Sequence, residues 1–117
     1  MLKPEAELQE SVFDWLAYYN RAAYESMYAI PNGGSRNKLE AANLKRQGVK
    51  AGVPDICLAM PNKVYHGLYI ELKWDYNKPS DKQSEWLERL TRNGYKTAVC
   101  YTIDEVIKAI TDYLKER

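Results

Sequence analysis

Apolar residues recur at three- and four-residue intervals in four segments of the chain, which is the spacing of one helix face. In the first segment Leu8, Val12 and Leu16 follow this spacing, and Pro4 suits the first turn of a helix. The second segment is basic and has the weakest apolar face. The pattern predicts helices from Pro4 to about Tyr24, from Asn37 to Gly48, from Ser80 to Gly94, and from Thr102 through Leu114.

Four shorter runs of apolar and β-branched residues are typical of strands. They are Ser26–Ile30, Ile56–Met60, Gly67–Lys73 and Thr97–Tyr101. Only a short turn separates the second run from the third, so we expect these two to pair antiparallel. The fourth follows a helical crossover, so we expect it to lie parallel to the third. The sequence therefore predicts an α/β fold of order αβαββαβα, with a small mixed sheet flanked by helices.

The composition favours one compact domain over residues 1–117, because 45% of the residues are hydrophobic and 28% are charged. Both cysteines, Cys57 and Cys100, lie in predicted strands, so we expect buried thiols in a reducing compartment. No apolar run approaches the roughly 20 residues that cross a bilayer, and the first residues lack a signal-peptide core. These features predict a cytoplasmic protein that does not enter membranes.

The charged residues are unevenly distributed, although 17 basic and 16 acidic residues nearly cancel. Between Arg36 and Lys50 there are five basic residues and one acid, whereas the first fourteen residues contain four acids and one lysine. We expect the first of these regions to attract anions and the second to repel them or hold cations. The low net charge argues against a generic nucleic-acid binder of the histone or ribosomal kind.

Three charged residues are predicted to meet at one end of the antiparallel strand pair. Asp55 precedes the second predicted strand, while Glu71 and Lys73 end the third and share one face of it. Two adjacent carboxylates repel unless a cation lies between them, and oxygen ligands suit Mg²⁺ or Mn²⁺, with the Leu72 carbonyl as a further ligand. Lys73 could hold an attacking water or neutralise phosphate charge.

Each of these residues also has a purely structural interpretation. An Asp after a Pro is common in turns, and a Glu-Xaa-Lys sequence on a strand is usually solvated surface. Here, however, the strand that carries Glu71 is otherwise apolar, so the acids are expected at the end of a buried hairpin. Charged residues in such a setting are usually paired or bound to a ligand.

These residues lie in motifs that resemble the VRR-NUC domain, the virus-type replication-repair nuclease branch of the PD-(D/E)xK superfamily. The motifs are Pro31-Asn-Gly-Gly-Ser-Arg36, Glu40-Ala-Ala-Asn-Leu-Lys45, Gln47-Gly-Val-Lys-Ala-Gly-Val-Pro-Asp55, Tyr69-Ile-Glu-Leu-Lys73, and Gln83 with Trp86-Leu87. They occur in the family's order, and the resemblance extends from about Glu5 to Leu114. It implies a restriction-endonuclease-like core, most similar to the small stand-alone members of phages and bacteria.

The resemblance implies a metal-dependent phosphodiesterase that acts on DNA. Asp55 and Glu71 would be metal ligands, together with the Leu72 carbonyl, and Lys73 would be the catalytic lysine. The ion would be Mg²⁺ or Mn²⁺.

The first helix has two interpretations at this site. In the family an acid on this helix often joins the metal site, and Gln9 stands where some relatives have Glu. Helical spacing places Glu5 and Gln9 on the inward face, with Glu7 and Glu10 pointing sideways. Gln9 is thus expected to hydrogen-bond a water at the site, with Glu5 or Glu7 further out. The alternative is that these acids only complement the helix dipole.

Gln83 has two competing interpretations. The sequence Ser80-Asp-Lys-Gln83 fits a capping box, in which the glutamine binds back to the amide of the capping residue. The family resemblance instead makes Gln83 part of the active-site rim. We favour the site.

A glycine-rich loop followed by the basic helix is a candidate for contact with the DNA backbone. Gly34, Ser35 and Arg36 would approach a phosphate closely, and Lys38 and Lys45 would add positive charge. Without the resemblance, a solvated turn and a charged surface helix would explain the same residues. No base-reading element is evident, so recognition should depend on DNA shape and on salt.

The sequence thus predicts a structure-specific DNA endonuclease for branched substrates such as four-way (Holliday) junctions. The resemblance to stand-alone members implies a homodimer, in the cytoplasm of a bacterial or phage-infected cell. The main alternative is a non-catalytic DNA-binding module of the same fold. A sequence-specific restriction endonuclease would need a base-reading insertion, for which the chain has no room.

Overall fold

The computed structural model describes residues 4–31 and 37–117, and each predicted helix and strand has a counterpart in it. The elements are α1 (Pro4–Tyr19), α2 (Arg21–Glu25), β1 (Met27–Ala29), α3 (Lys38–Arg46), β2 (Ile56–Leu58), β3 (Leu68–Leu72), α4 (Asp81–Arg92), β4 (Lys96–Cys100) and α5 (Ile103–Lys115). None of the described helices is long and apolar enough to span a bilayer.

The prediction of one continuous helix to about Tyr24 was wrong. α1 ends at Tyr19, and Asn20 adopts an extended conformation with φ −153° and ψ 101°. Its side-chain oxygen accepts a hydrogen bond from the Ala23 N–H (3.1 Å), which caps the separate helix α2. Asparagine favours such caps over helix interiors because its side chain competes for backbone hydrogen bonds.

The four strands form one mixed sheet in the order β1-β2-β3-β4. β1 pairs antiparallel with β2, β2 pairs antiparallel with β3, and β3 pairs parallel with β4. In this register Ile56 lies opposite Ile70, and Glu71 lies opposite Val99. Both pairings predicted for β3 are therefore confirmed.

The main core lies between one face of this sheet and the helices α1 and α5. Ile70 and Leu72 of β3 pack in one apolar cluster with Val12 of α1 and Ile110 of α5, and all four are almost completely buried. Side chains of a strand alternate between faces, so Glu71 points to the opposite face, where α4 packs. Both thiols are buried, as expected.

The helix caps keep α3 and α4 beside the site end of the sheet. The Asn37 side chain accepts from the Glu40 N–H (2.8 Å), and Gly48 with φ +100° follows the end of α3. α3 buries none of its residues and is therefore an exposed, basic helix. Ser80 caps α4 as predicted, within a complete capping box.

Candidate active site

Asp55 and Glu71 lie together at the end of the β2–β3 pair, as the sequence predicts. Asp55 immediately precedes β2, and its Oδ2 accepts a hydrogen bond from the Leu72 N–H (2.8 Å). The Asp55 carbonyl accepts from the Ile30 N–H (2.7 Å), so the residue is also held from the β1 side. The carboxylate therefore accepts from a β3 amide beyond the last pair of the β2–β3 register, Ile56 with Ile70.

The carbonyl of Leu72 faces the same region. The N–H and C=O groups of one strand residue point toward the same side of the strand, and the Leu72 N–H points to Asp55. A backbone oxygen and a carboxylate are thus directed toward a common volume. This is the relation that the predicted ligand role of Leu72 requires.

Glu71 is the most unusual residue of this cluster. In the described part of the chain it is the one charged side chain that is buried, with 2% of its surface exposed. Its Oε2 accepts from the Gln83 side-chain N–H (3.1 Å), but no described residue hydrogen-bonds to Oε1. A buried, ionised carboxylate oxygen without a partner is costly and rare, so it indicates that either a proton or a cation belongs at this position.

The surroundings of Glu71 disfavour its negative charge. Burial, then the nearby charge of Asp55 and a hydrogen bond shared by the two carboxyl groups, raise the pKa of Glu71 to about 8, with a smaller contribution from Glu5. The positive charge of Lys73 opposes this shift. Without a cation, the carboxyl group therefore holds a proton at neutral pH that a bound cation would displace.

The side chain of Gln83 completes the helix cap and contacts Glu71 at the same time. Its side-chain oxygen accepts from the Ser80 N–H (2.8 Å), which completes the capping box, while its side-chain nitrogen donates to Glu71. The two ends of one amide thus serve two partners. This arrangement fixes the start of α4 against the end of β3.

Helix α1 places Glu5 near the cluster but leaves the other acids outside. Glu5 is half-buried and contributes to the pKa of Glu71, whereas Glu7 and Glu10 are exposed. Gln9 is half-buried on the same face, as its spacing predicts. The hydrogen bonds of Asp55 and Glu71 go to Leu72 and Gln83, however, and not to Gln9.

The cluster fits a divalent cation that keeps several water ligands. Within residues 4–31 and 37–117, no three acidic, histidine or cysteine side chains gather into a complete ligand set. Two carboxylates and a backbone carbonyl leave positions for water and for phosphate oxygens, which is the usual environment of Mg²⁺. The Glu71 oxygen without a partner is the observation that supports this fit.

The predicted DNA-binding residues are only partly described. Lys38 and Lys45 are exposed on α3, at the two ends of that helix. Gly34, Ser35 and Arg36 lie outside the described residues. The exposed, basic character of α3 agrees with an anion-binding surface.

Sequence reasoning missed a groove of about 580 Å³ between α3 and α4. It is lined by Lys45 and Lys50 on one side and by Lys82 and Trp86 on the other, with a single acid, Glu85. A Cβ on Gly52 would approach the Lys82 carbonyl to 2.8 Å, so the loop before Asp55 packs directly on the start of α4. Lys82 lies beside the candidate site, since the next residue, Gln83, contacts Glu71. This placement is visible only in the fold.

Comparison with known proteins extends the similarity over nearly the whole chain. The family model of the VRR-NUC domain matches residues 3–103. A solved structure described as a VRR_NUC domain protein has a TM-score of 0.85 and 33% identity, covering 97% of this chain and 89% of that one. No curated protein matches the chain.

Proposed function

The chain belongs to the VRR-NUC family, and on this premise we propose that it is a Mg²⁺- or Mn²⁺-dependent endonuclease that cuts branched DNA such as four-way junctions. VRR-NUC is a family of nucleases, so DNA is the expected substrate. The observation that carries the proposal is the buried Glu71 carboxyl beside Asp55, with one oxygen that no described residue satisfies.

The residues of the cluster have distinct roles in this proposal. Asp55, Glu71 and the Leu72 carbonyl would hold the divalent ion, which when bound would lower the pKa of water and offset phosphate charge. Lys73 would orient the attacking water and stabilise negative charge that develops on the phosphate. Gln83 would keep Glu71 in place through its amide hydrogen bond. Gln9 and Glu5 would contact the site from α1.

The basic surface supports phosphate binding without base reading. We include in it Lys38 and Lys45 of α3 and, from the groove, Lys50 and Lys82. Gly34 to Arg36 would complete it. Binding through such contacts depends strongly on salt and little on DNA sequence.

We also propose that the active form is a homodimer. A symmetric cut through two strands of a junction needs two active sites, and each chain provides one. Sedimentation of the protein with and without junction DNA measures the number of copies directly. A monomer in both conditions would exclude this part of the proposal.

The test compares cleavage by wild type with cleavage by the Asp55→Asn and Lys73→Ala variants. The substrates are a synthetic four-way junction and a linear duplex of the same length, each with Mg²⁺, Mn²⁺ or EDTA. We expect wild type to cut the junction only with metal, and each variant to lose about 100-fold or more in rate. Asp112→Asn, which changes an exposed acid on α5, is the matched control and should cut normally.

Two results would contradict the proposal. Unchanged cleavage by Asp55→Asn or Lys73→Ala would show that the substituted residue has no role in catalysis. Junction binding that is indifferent to metal and yields no product would favour a non-catalytic DNA-binding module instead.

A further inference from the structure

The turn that follows Lys73 displays two aromatic side chains to solvent. Trp74 is 50% exposed and Tyr76 is 90% exposed. A single exposed aromatic residue is common in soluble proteins, but rings this exposed contribute little to a core. Tyr18 and Tyr19 of α1 form a comparable exposed pair, but Trp74 and Tyr76 directly follow a candidate catalytic lysine, which makes their turn the candidate interaction surface.

This aromatic turn, defined as Trp74–Asn77, has a fixed backbone. The Asn77 N–H donates to the Trp74 carbonyl (3.2 Å), and Asp75 lies at its tip with φ +60°. Among the described residues other than glycine, Asp75 alone has a positive φ. Aspartate tolerates this left-handed conformation in tight turns, and the hydrogen bond that closes the turn limits the freedom its side chains would lose on binding a ligand.

The aromatic turn lies in sequence between residues of the candidate site. Before it, the Lys73 N–H donates to the Cys100 carbonyl (2.9 Å), and after it, Ser80 begins the capping box that includes Gln83. Chain length alone keeps the Cα of Tyr76 within about 11 Å of the Cα of Lys73. The two rings are therefore close enough to Lys73 to contact the same DNA molecule that the candidate site would bind.

The turn carries one acid, Asp75, between the lysines Lys73 and Lys78. Asp75 would repel a phosphate at the tip while the flanking lysines attract the DNA backbone on either side, which leaves the rings to contact the uncharged bases. Aromatic rings stack on the faces of nucleic-acid bases regardless of base identity. In continuous duplex DNA both faces of each base are covered by neighbours, whereas branch points and strand ends leave base faces open.

We propose that Trp74 and Tyr76 stack on the open base faces at a branch point and thereby select branched DNA. The inference rests on the proposed nuclease function and names the feature of the substrate that the site recognises. It explains how a chain without a base-reading element could prefer one DNA structure over another.

The test compares the Trp74→Ala/Tyr76→Ala double variant with Tyr18→Ala, which removes an aromatic side chain that is 96% exposed on α1. One measurement is the ratio of initial cleavage rates on a four-way junction and on a linear duplex of equal length. The other is the fluorescence of 2-aminopurine placed at the branch point, recorded in EDTA so that no strand is cut.

We expect the double variant to lose about tenfold or more in junction cleavage, with little change on the linear duplex. Wild type should quench 2-aminopurine at the branch point, and the double variant should not. Tyr18→Ala should match wild type in both measurements. Trp74→Phe/Tyr76→Phe should restore most of the quenching and of the rate, because phenylalanine retains the ring.

The results separate this inference from the nuclease proposal. A double variant that keeps both the wild-type rate ratio and the quenching would overturn stacking, while cleavage by wild type would leave the nuclease proposal standing. Wild type that cuts neither substrate would overturn the nuclease proposal, and the fluorescence would then decide stacking by itself. Should the double variant fail to fold, Trp74→Leu/Tyr76→Leu, which is apolar but cannot stack, replaces it with the same expectations.

Discussion

Successive residues of β3 lie in opposite environments on the two faces of one sheet. Ile70 and Leu72 pack among apolar side chains of α1 and α5, whereas Glu71, between them, is buried beside Asp55 and the amide of Gln83. Burial of the first two residues stabilises the fold, and burial of the carboxylate opposes it. The comparison shows that the apolar face of β3 stabilises the fold. The opposite face buries a carboxylate whose negative charge is unfavourable there unless a cation binds to it.

The largest effect on stability is expected on the apolar face. Ile70→Ala removes a fully buried side chain and leaves a cavity between the sheet and its two helices. We expect the free energy of unfolding, measured by urea denaturation, to fall by about 2–5 kcal/mol. A loss well below about 1 kcal/mol would mean that this face is not the main source of stability.

A smaller effect of opposite sign is expected at Glu71. In metal-free protein, Glu71→Gln removes a carboxylate that is unfavourable when ionised and keeps the shape of the side chain. We expect the variant to be more stable than wild type by on the order of 2 kcal/mol at pH 8 and above, measured in EDTA. Saturating Mg²⁺ or Mn²⁺ should stabilise wild type and leave the variant unchanged.

The pH dependence tests the cause of this difference. The pKa of Glu71 is raised from its ordinary value of 4.5 to about 8 in the folded protein, so between these limits the folded chain holds a proton that the unfolded chain has lost. The stability of wild type in EDTA should therefore fall as the pH rises from about 5 to 8. The gap to Glu71→Gln should widen over that range, and a constant gap would exclude this explanation.

The smallest effect on stability is expected from substitutions at two helix caps. Ser80 caps α4 beside the site, and Thr102 caps α5, which packs against the other face of the sheet. Ser80→Ala and Thr102→Ala should each lower the free energy of unfolding by about 1 kcal/mol. Only Ser80→Ala should also slow junction cleavage, because it removes the Oγ that accepts from the Gln83 backbone N–H (3.2 Å) and so loosens the helix turn whose side chain binds Glu71. Equal cleavage by the two variants would show that the cap and the site are independent.

The sequence predicts the candidate site best where the charged residues follow the two-residue period of a strand. Strand alternation was sufficient to separate Glu71 from Ile70, and the Pro-Asp sequence before β2 was sufficient to place Asp55 near Glu71. Both depend on local rules, namely the period of a strand and the pairing of neighbouring strands.

The features that were missed are of two kinds. In some, two hydrogen-bonding roles compete for one side chain; in others, residues far apart in the sequence meet in the fold. Asn20 interrupts a helix whose apolar spacing continues, because a cap competes with a helical hydrogen bond at that one residue. Gln83 was treated as having one role or the other, since a sequence does not show that an amide can serve two partners at once. Lys82 and Trp86 join Lys45 in a groove only because α3 and α4 meet in space.

Gln83 joins the first turn of α4 to the carboxylate of β3 through one rigid amide. Helix ends are the parts of a structure that open most often, and opening of this end would release Glu71 at the same moment. The hydrogen bond on Glu71 would thus be no more persistent than the cap at the start of α4. Its persistence would depend on a serine and a glutamine that lie outside the proposed metal ligands.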